Sequence, residues 1–144
     1  MPLHHEAQAL LAALTAGGVP PFECMTVPQA RATANAFMDM QGTTEDVASV
    51  TDMAVPGPAG DIPVRVYRPA GSGDAPLPAV VYYHGGGWVI GSLDIVDNPV
   101  RRLSNALNAV VVSVDYRLAP EHPFPLPSTT PTLRSLGWRA TPSP

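Results

Sequence analysis

The chain has no lysine, one cysteine and few charged residues, and each scarcity removes a class of function. All eight basic residues are arginine, and at a net charge of −4 there is no basic stripe to attract nucleic acid or an anionic membrane. Cys24 stands alone, so no intrachain disulfide can form and nothing points to an oxidising compartment. Its neighbours Glu23 and Met25 bring no positive charge that would favour a reactive thiolate. No apolar run approaches the ~20 residues of a membrane span. Residues 1–18 carry an apolar patch (Leu10, Leu11, Leu14) with no basic residue before it, so they do not read as a secretory signal. The expectation is a soluble, cytoplasmic protein. Hydrophobic content of 45% against 14% charged residues suits a packed core, and 144 residues amount to about one domain.

Periodicity divides the chain into an α/β order. His5–Ala16 places its leucines at helical spacing and ends at Gly17-Gly18; a second helix is expected over 28–40, with Thr26 as a cap and Pro28 in its first turn. Residues 47–55 and Ile62–Arg68 alternate around a Pro/Gly turn at 56–60, the pattern of a β-hairpin. After a Gly/Ser/Pro loop over 69–78 come two runs apolar on both faces, Ala79–Tyr83 and Val110–Val114, which suit buried parallel strands. Between them, 98–107 reads as a helix with Pro99 in its first turn and a core face of Val100, Leu103 and Leu107. The strand–helix–strand unit implies a right-handed crossover. No internal repeat is visible.

The most informative segment is His84-Gly85-Gly86-Gly87-Trp88, directly after the first apolar strand. Consecutive glycines cost backbone entropy and are tolerable where the backbone turns tightly and offers its N–H groups to something that approaches closely. An oxyanion in acyl transfer is such a group, and HGGG-type loops serve it in esterases. A dinucleotide loop needs GxGxxG leading into a helix and a P-loop needs GK[ST]; neither is present. Directly after the second apolar strand stands Asp115-Tyr116-Arg117-Leu118-Ala119-Pro120-Glu121-His122-Pro123-Phe124-Pro125. On residue types alone, Asp115, Glu121 and His122 could form a metal or acid–base cluster, but hydrogen bonds that fix the loop account for them equally well. His4-His5 is read as a solvated terminus, with no metal site expected.

HGGGW followed at this distance by VVVSVDYRLAPEHPFP resembles the bacterial hormone-sensitive-lipase family of carboxylesterases and lipases over residues 62–125. The resemblance implies an α/β-hydrolase fold, here its N-terminal portion and incomplete: cap-like helices over 1–45 and the first half of the core over 46–125. It also implies carboxylic-ester hydrolysis through a serine acyl-enzyme, a small ester substrate and no cofactor. Gly85, Gly86 and Gly87 would supply oxyanion N–H groups. His84 would be structural rather than the catalytic base, and Trp88, Asp115, Tyr116, Arg117, Glu121 and His122 would support the loops. The family's nucleophile lies in a GxSxG elbow, with an acid and a histidine beyond it. No serine in this sequence has glycines at that spacing; Ser135 has Gly137 but Leu133. The chain alone is therefore expected to be inactive, and the competing expectation is a non-catalytic remnant or small-ligand binding module of the same fold.

The resemblance stops at Pro125, where LPSTTPTLRSLGWRATPSP replaces the family's helix with a proline-rich stretch. The exclusive use of arginine and the eighteen prolines point to a G+C-rich coding sequence. With such codons, one base added after the Pro125 codon lets the same nucleotides spell AAVDDAYAALAWLARNA, an amphipathic helix of the family's kind. The expectation is a frameshifted, non-family tail over 126–144. With Ala79–Tyr83 then left as an apolar sheet edge, self-association or aggregation is also expected.

Overall fold

The computed structural model describes residues 2–57 and 60–123; the 126–144 tail lies outside the described residues. Along the chain run α1 (His5–Ala16), α2 (Val27–Ala36), β1 (Ser49–Val55), β2 (Ile62–Arg68), β3 (Ala79–Tyr83), α3 (Asp97–Leu107) and β4 (Val110–Val114). The expected single helix over 28–40 is α2 followed by a tighter 3₁₀ segment, Phe37–Met40. Thr26 does cap α2: the Gln29 side-chain oxygen accepts its backbone N–H at 2.9 Å and its hydroxyl at 2.8 Å.

The hairpin is present, with β1 antiparallel to β2 and the register running from Val55↔Ile62 to Ser49↔Arg68. The strand–helix–strand unit is present too, with β3 parallel to β4 from Ala79↔Val110 to Tyr83↔Val114. β4 also pairs antiparallel with β2, which gives the sheet order β1-β2-β4-β3. β4 thus has a partner on each side, whereas β3 forms an edge of this sheet. Side-chain alternation along β4 feeds two cores. Val112 and Val114 join Val55, Ile62 and Val64 on one face, while Val111 packs with Tyr67, Val96 and Val100 on the other.

The second face is where α3 docks, its Val100 fully buried and its Leu103 packed beside it. Leu107, expected on that face, is 52% exposed because it belongs to the last turn. Asn108 ends α3 in the left-handed region at φ +47, a conformation Asn tolerates better than most side chains. Just before that end, the buried Ser104 hydroxyl donates to the Ala109 carbonyl at 2.8 Å. The turn between helix and β4 is therefore closed from within.

Ala79–Tyr83 takes the expected edge position, and its residues are half-buried rather than covered on both faces, with Tyr83 40% exposed, because among the described residues it has a strand on one side only. α1 forms at the expected bounds; none of its residues is buried, and Leu10 and Leu11 are exposed.

Polar ties hold the segment after α2 against α3. The buried Asn98 donates to the carbonyls of Gln41 and Thr43, each at 3.0 Å, and accepts from the Glu45 N–H at 3.0 Å. Two turns further on, Asn105 donates to the Glu45 carboxylate at 2.6 Å and to the Asp46 carbonyl at 2.9 Å. Beneath them, Arg65 grips Asp52 in bidentate fashion at 2.6 and 3.0 Å and reaches Asp94 at 2.9 Å. Asp97, at the start of α3, accepts from Tyr67 at 2.8 Å and pairs with Arg101 at 2.7 Å. A carboxylate in that position also complements the helix dipole. An open groove lies over these groups, but its charged walls are satisfied by one another, so it reads as the ion-paired seam between β2 and α3.

Candidate functional site

Parallel β3 and β4 deliver their following loops to the same end of the sheet, which is how the two motifs come together. In the 84–91 loop the chain turns on itself: the N–H groups of Val89 and Ile90 both donate to the Gly86 carbonyl, at 3.1 and 3.0 Å. This tight turn makes glycine obligatory at residue 86. Its φ is +128, and a Cβ there would lie 1.9 Å from the Ile90 carbonyl oxygen. Gly85 is different, since its φ is not in the left-handed region and a Cβ would meet nothing within 4 Å. Neither the fold nor internal packing requires glycine there. Among the described residues, no hydrogen bond uses the N–H of Gly85, Gly86 or Gly87 as donor.

His84 lies under this loop and is buried, 4% exposed. Its Nδ1 sits 2.8 Å from the Gly85 carbonyl oxygen, and because a carbonyl can only accept, that nitrogen carries the proton. Nε2 is buried with no partner among the described residues. The Tyr116 ring stacks on the imidazole with centroids 4.3 Å apart, and its hydroxyl donates to the His84 carbonyl at 2.7 Å. Burial pushes the Tyr116 hydroxyl above its ordinary pKa, so the proton it donates stays in place at neutral pH. His84 thus has its Nδ1 proton committed within the loop.

The supporting residues divide. Trp88 stands at φ +61 within the loop and is 71% exposed, while its carbonyl accepts the Ala119 N–H at 2.8 Å. That bond joins the two loops directly. Asp115 is half-buried beside His84; burial raises its carboxyl pKa, the nearby Asp94 charge adds to this, and His84 and Arg65 oppose it. His122 contributes a backbone bond, donating its N–H to the Leu118 carbonyl at 3.0 Å. Arg117 makes no hydrogen bond or ion pair among the described residues, so the structure gives it no hold on either loop. Glu121 is engaged outside any acid–base cluster, with both carboxylate oxygens 2.7 Å from Arg31. Among the described residues no group of three or more His, Cys, Asp or Glu could hold a metal.

Sequence reasoning missed two participants. Gly91, at φ +114, leaves room for the imidazole, since a Cβ there would lie 2.2 Å from the His84 Nδ1. Its signal was a fourth glycine after the aromatic-apolar run at 88–90. Arg31, on α2, reaches both loops: its Nε donates to the Val89 carbonyl at 2.9 Å and its Nη2 to the Ala119 carbonyl at 3.0 Å, besides the Glu121 pair. No local pattern could reveal it, because its partners lie 58 to 90 residues away.

Comparison with known proteins agrees with this geometry. A family model described as the alpha/beta hydrolase fold matches residues 80–134, a span that holds both motifs and runs past Pro125. The chain is 55% identical over 76 residues to the carboxylic ester hydrolase LipN of Mycobacterium tuberculosis, covering 53% of this chain and 20% of that one. It is 62% identical over 65 residues to the carboxylesterase NlhH of the same organism, covering 45% and 20%. Among solved structures, a hyperthermophilic esterase from the archaeon Pyrobaculum calidifontis superposes with a TM-score of 0.77 at 43% identity, over 90% of this chain and 41% of that one. An alpha/beta hydrolase enzyme from the metagenome of Lake Arreo gives a TM-score of 0.79 at 41% identity, again over 90% and 41%. The chain therefore spans about a fifth of the length of those curated relatives and about two fifths of those solved structures.

Proposed function

We propose that this chain, an α/β-hydrolase-fold protein similar to carboxylic ester hydrolases of the hormone-sensitive-lipase type, carries the oxyanion-binding part of a serine esterase or lipase. One observation carries the proposal: the loop keeps glycine at residue 85, where neither φ nor packing demands it, while the N–H groups of 85–87 have no donor bond among the described residues. Omitting a Cβ at such a position keeps the amide open to a ligand atom at hydrogen-bond distance. When an ester carbonyl becomes tetrahedral, the negative charge gathers on its oxygen. Backbone donors aimed at that oxygen stabilise the transition state by roughly 2.7–4 kcal/mol each. Stacked on Tyr116 and bonded to Gly85, His84 keeps the turn rigid, so the donors need not reorganise as charge develops.

The residues at hand bind and stabilise; they supply no nucleophile, since the sequence contains no GxSxG. In the complete catalytic cycle a serine would take the acyl group and water would release it, with neither step requiring a metal or organic cofactor. The substrate class is a small ester, and the 144 residues alone are inactive toward it. The missing elbow also favours a second proposal, a small-ligand binding module that keeps the pocket without turnover.

The frame beyond the Pro125 codon separates the two. We expect that frame, read with one base added, to encode GxSxG followed by an acid and a histidine. The protein it encodes should release p-nitrophenol from p-nitrophenyl acetate with saturable kinetics, while the 144-residue chain does not. A stop codon before any elbow, or a longer chain that binds the ester without hydrolysing it, would transfer the case to the binding module.

A further inference from the structure

Arg31 joins three segments that are distant in sequence: α2, the 84–91 loop and the 115–122 loop. One edge of its guanidinium takes both Glu121 oxygens at 2.7 Å, and the remaining N–H groups reach the carbonyls of Val89 and Ala119 at 2.9 and 3.0 Å. Its side chain is 32% exposed, so the fork is partly withdrawn from solvent. The planar, five-donor geometry permits this; a lysine ammonium could satisfy the charge but not the fork.

The position of the Val89 contact matters. Val89 and Ile90 close the turn through the Gly86 carbonyl, so the Val89 peptide belongs to the same tight turn that carries Gly85–Gly87. The neighbouring Trp88 carbonyl is held by Ala119, which Arg31 in turn holds through its own carbonyl. Two consecutive carbonyls behind the glycines are thereby fixed, one by Arg31 and one by a residue Arg31 binds. Without these bonds the turn would keep only its internal pair of N–H donations to Gly86 and the His84–Tyr116 contacts on its other flank.

We propose that Arg31 is a positioning residue: from the cap-like helix α2 it clamps the back of the 84–91 turn and so sets the direction of the Gly85–Gly87 N–H groups. This role rests on the oxyanion assignment of the loop for its purpose, but the clamp itself is a mechanical claim and can be tested separately. Glu121 orients the guanidinium; the Val89 bond does the positioning. Docking of α2 and readiness of the loop become one event, since losing the helix contact would release the turn.

The test is hydrogen exchange by NMR on the full 144-residue chain, comparing wild type with Arg31→Met, Arg31→Lys and Glu121→Gln. Arg31→Met should raise exchange at the Val89 and Ile90 amides, which close the turn on the Gly86 carbonyl, by roughly tenfold, while those of β1 and β2 change by less than about twofold. Arg31→Lys should fall between, and Glu121→Gln should produce a smaller rise in the same amides. Exchange that rises equally across β1, β2 and the loop would make Arg31 a general stability residue and overturn the proposal, as would an unchanged loop. If Arg31→Met does not fold, the two milder variants decide by the same criterion. A titration with methylphosphonate, followed through the Gly85–Gly87 amide shifts, keeps the two ideas apart. Shifts in wild type that are lost in Arg31→Lys support positioning for an oxyanion. Absence of shifts in wild type would sink the oxyanion assignment while leaving the exchange result to judge the clamp.

Discussion

β3 and β4 are neighbouring five-residue strands, parallel and in register, of similarly apolar sequence, AVVYY and VVVSV. Their environments are nonetheless unlike. Every residue of β4 is buried, including Ser113 with its hydroxyl unpartnered among the described residues, while β3 is half-buried from Ala79 to Tyr82 and exposed at Tyr83. Position in the sheet makes the difference, since β4 lies between β2 and β3 and has α3 across one face, whereas among the described residues β3 borders β4 alone. The loops they launch differ in parallel fashion. The one after β3 offers unbonded glycine amides, and the one after β4 holds it through Tyr116 and Ala119.

The sharpest way to break this comparison is to place the same charge on Val111 of β4 and on Val80, its direct partner in β3. Val111 is 0% exposed, so Val111→Asp buries a carboxylate in an apolar cluster and should cost more than ~4 kcal/mol and abolish the cooperative melt. Val80→Asp, at a half-buried site, should cost about 1–3 kcal/mol and leave a folded chain. If the β3 edge drives self-association, the charge at residue 80 should also reduce it, seen as a later elution in size exclusion. Circular-dichroism melts with equal losses for both variants would show that the edge strand is as deeply packed as the centre.

The next effect lies within the first loop. Gly86→Ala forces a Cβ against the Ile90 carbonyl and should cost roughly 3 kcal/mol, whereas Gly85→Ala should stay within about 0.5 kcal/mol. Chemical denaturation reads both. A Gly85→Ala loss as large as that of Gly86→Ala would mean that the fold itself needs glycine there, and the argument for an open amide would fall.

The smallest effect concerns acid. Hydrogen bonds from Arg31 chiefly hold the Glu121 carboxyl down to about 2, helped by its own backbone N–H and by the charges of Arg31 and His122, with slight burial opposing. A lowered carboxylate contributes stability that is complete above its ordinary value near 4.5 and is lost as pH falls from there through about 2. Wild type should therefore melt above Glu121→Gln at neutral pH, and the two curves should converge across that window. Added salt should narrow the gap as well, because the pair is partly exposed. Asp115 moves oppositely: its raised value means a burial penalty at neutral pH that is lifted as pH falls through it. A gap between wild type and Glu121→Gln that persists unchanged down to pH 2 would show that the carboxylate charge contributes nothing to the clamp.

Much of this was legible in the residues because it depends on near neighbours. The hairpin follows from alternation on both sides of a Pro/Gly turn, α3 from the spacing of Val100 and Leu103, and the cap of α2 from Thr26 just before Pro28. The two motifs were legible as loops because each directly follows an apolar strand. Arg117 shows the limit. It stands within the motif, yet among the described residues it makes no hydrogen bond or ion pair, while Arg31, unremarkable in its helix, bonds to both loops.

What the sequence determined by itself, then, is the order of elements, the α/β class and the chemical character of the 84–88 and 115–122 segments, since propensity, alternation and turn chemistry act over a few residues. What only the tertiary structure decided is which of two like strands is central, which glycines the backbone requires, and which arginine reaches the loops. These depend on contacts between segments far apart along the chain. Val80 and Val111 look alike to any local pattern, and they are separated only by how many strands and helices surround each one.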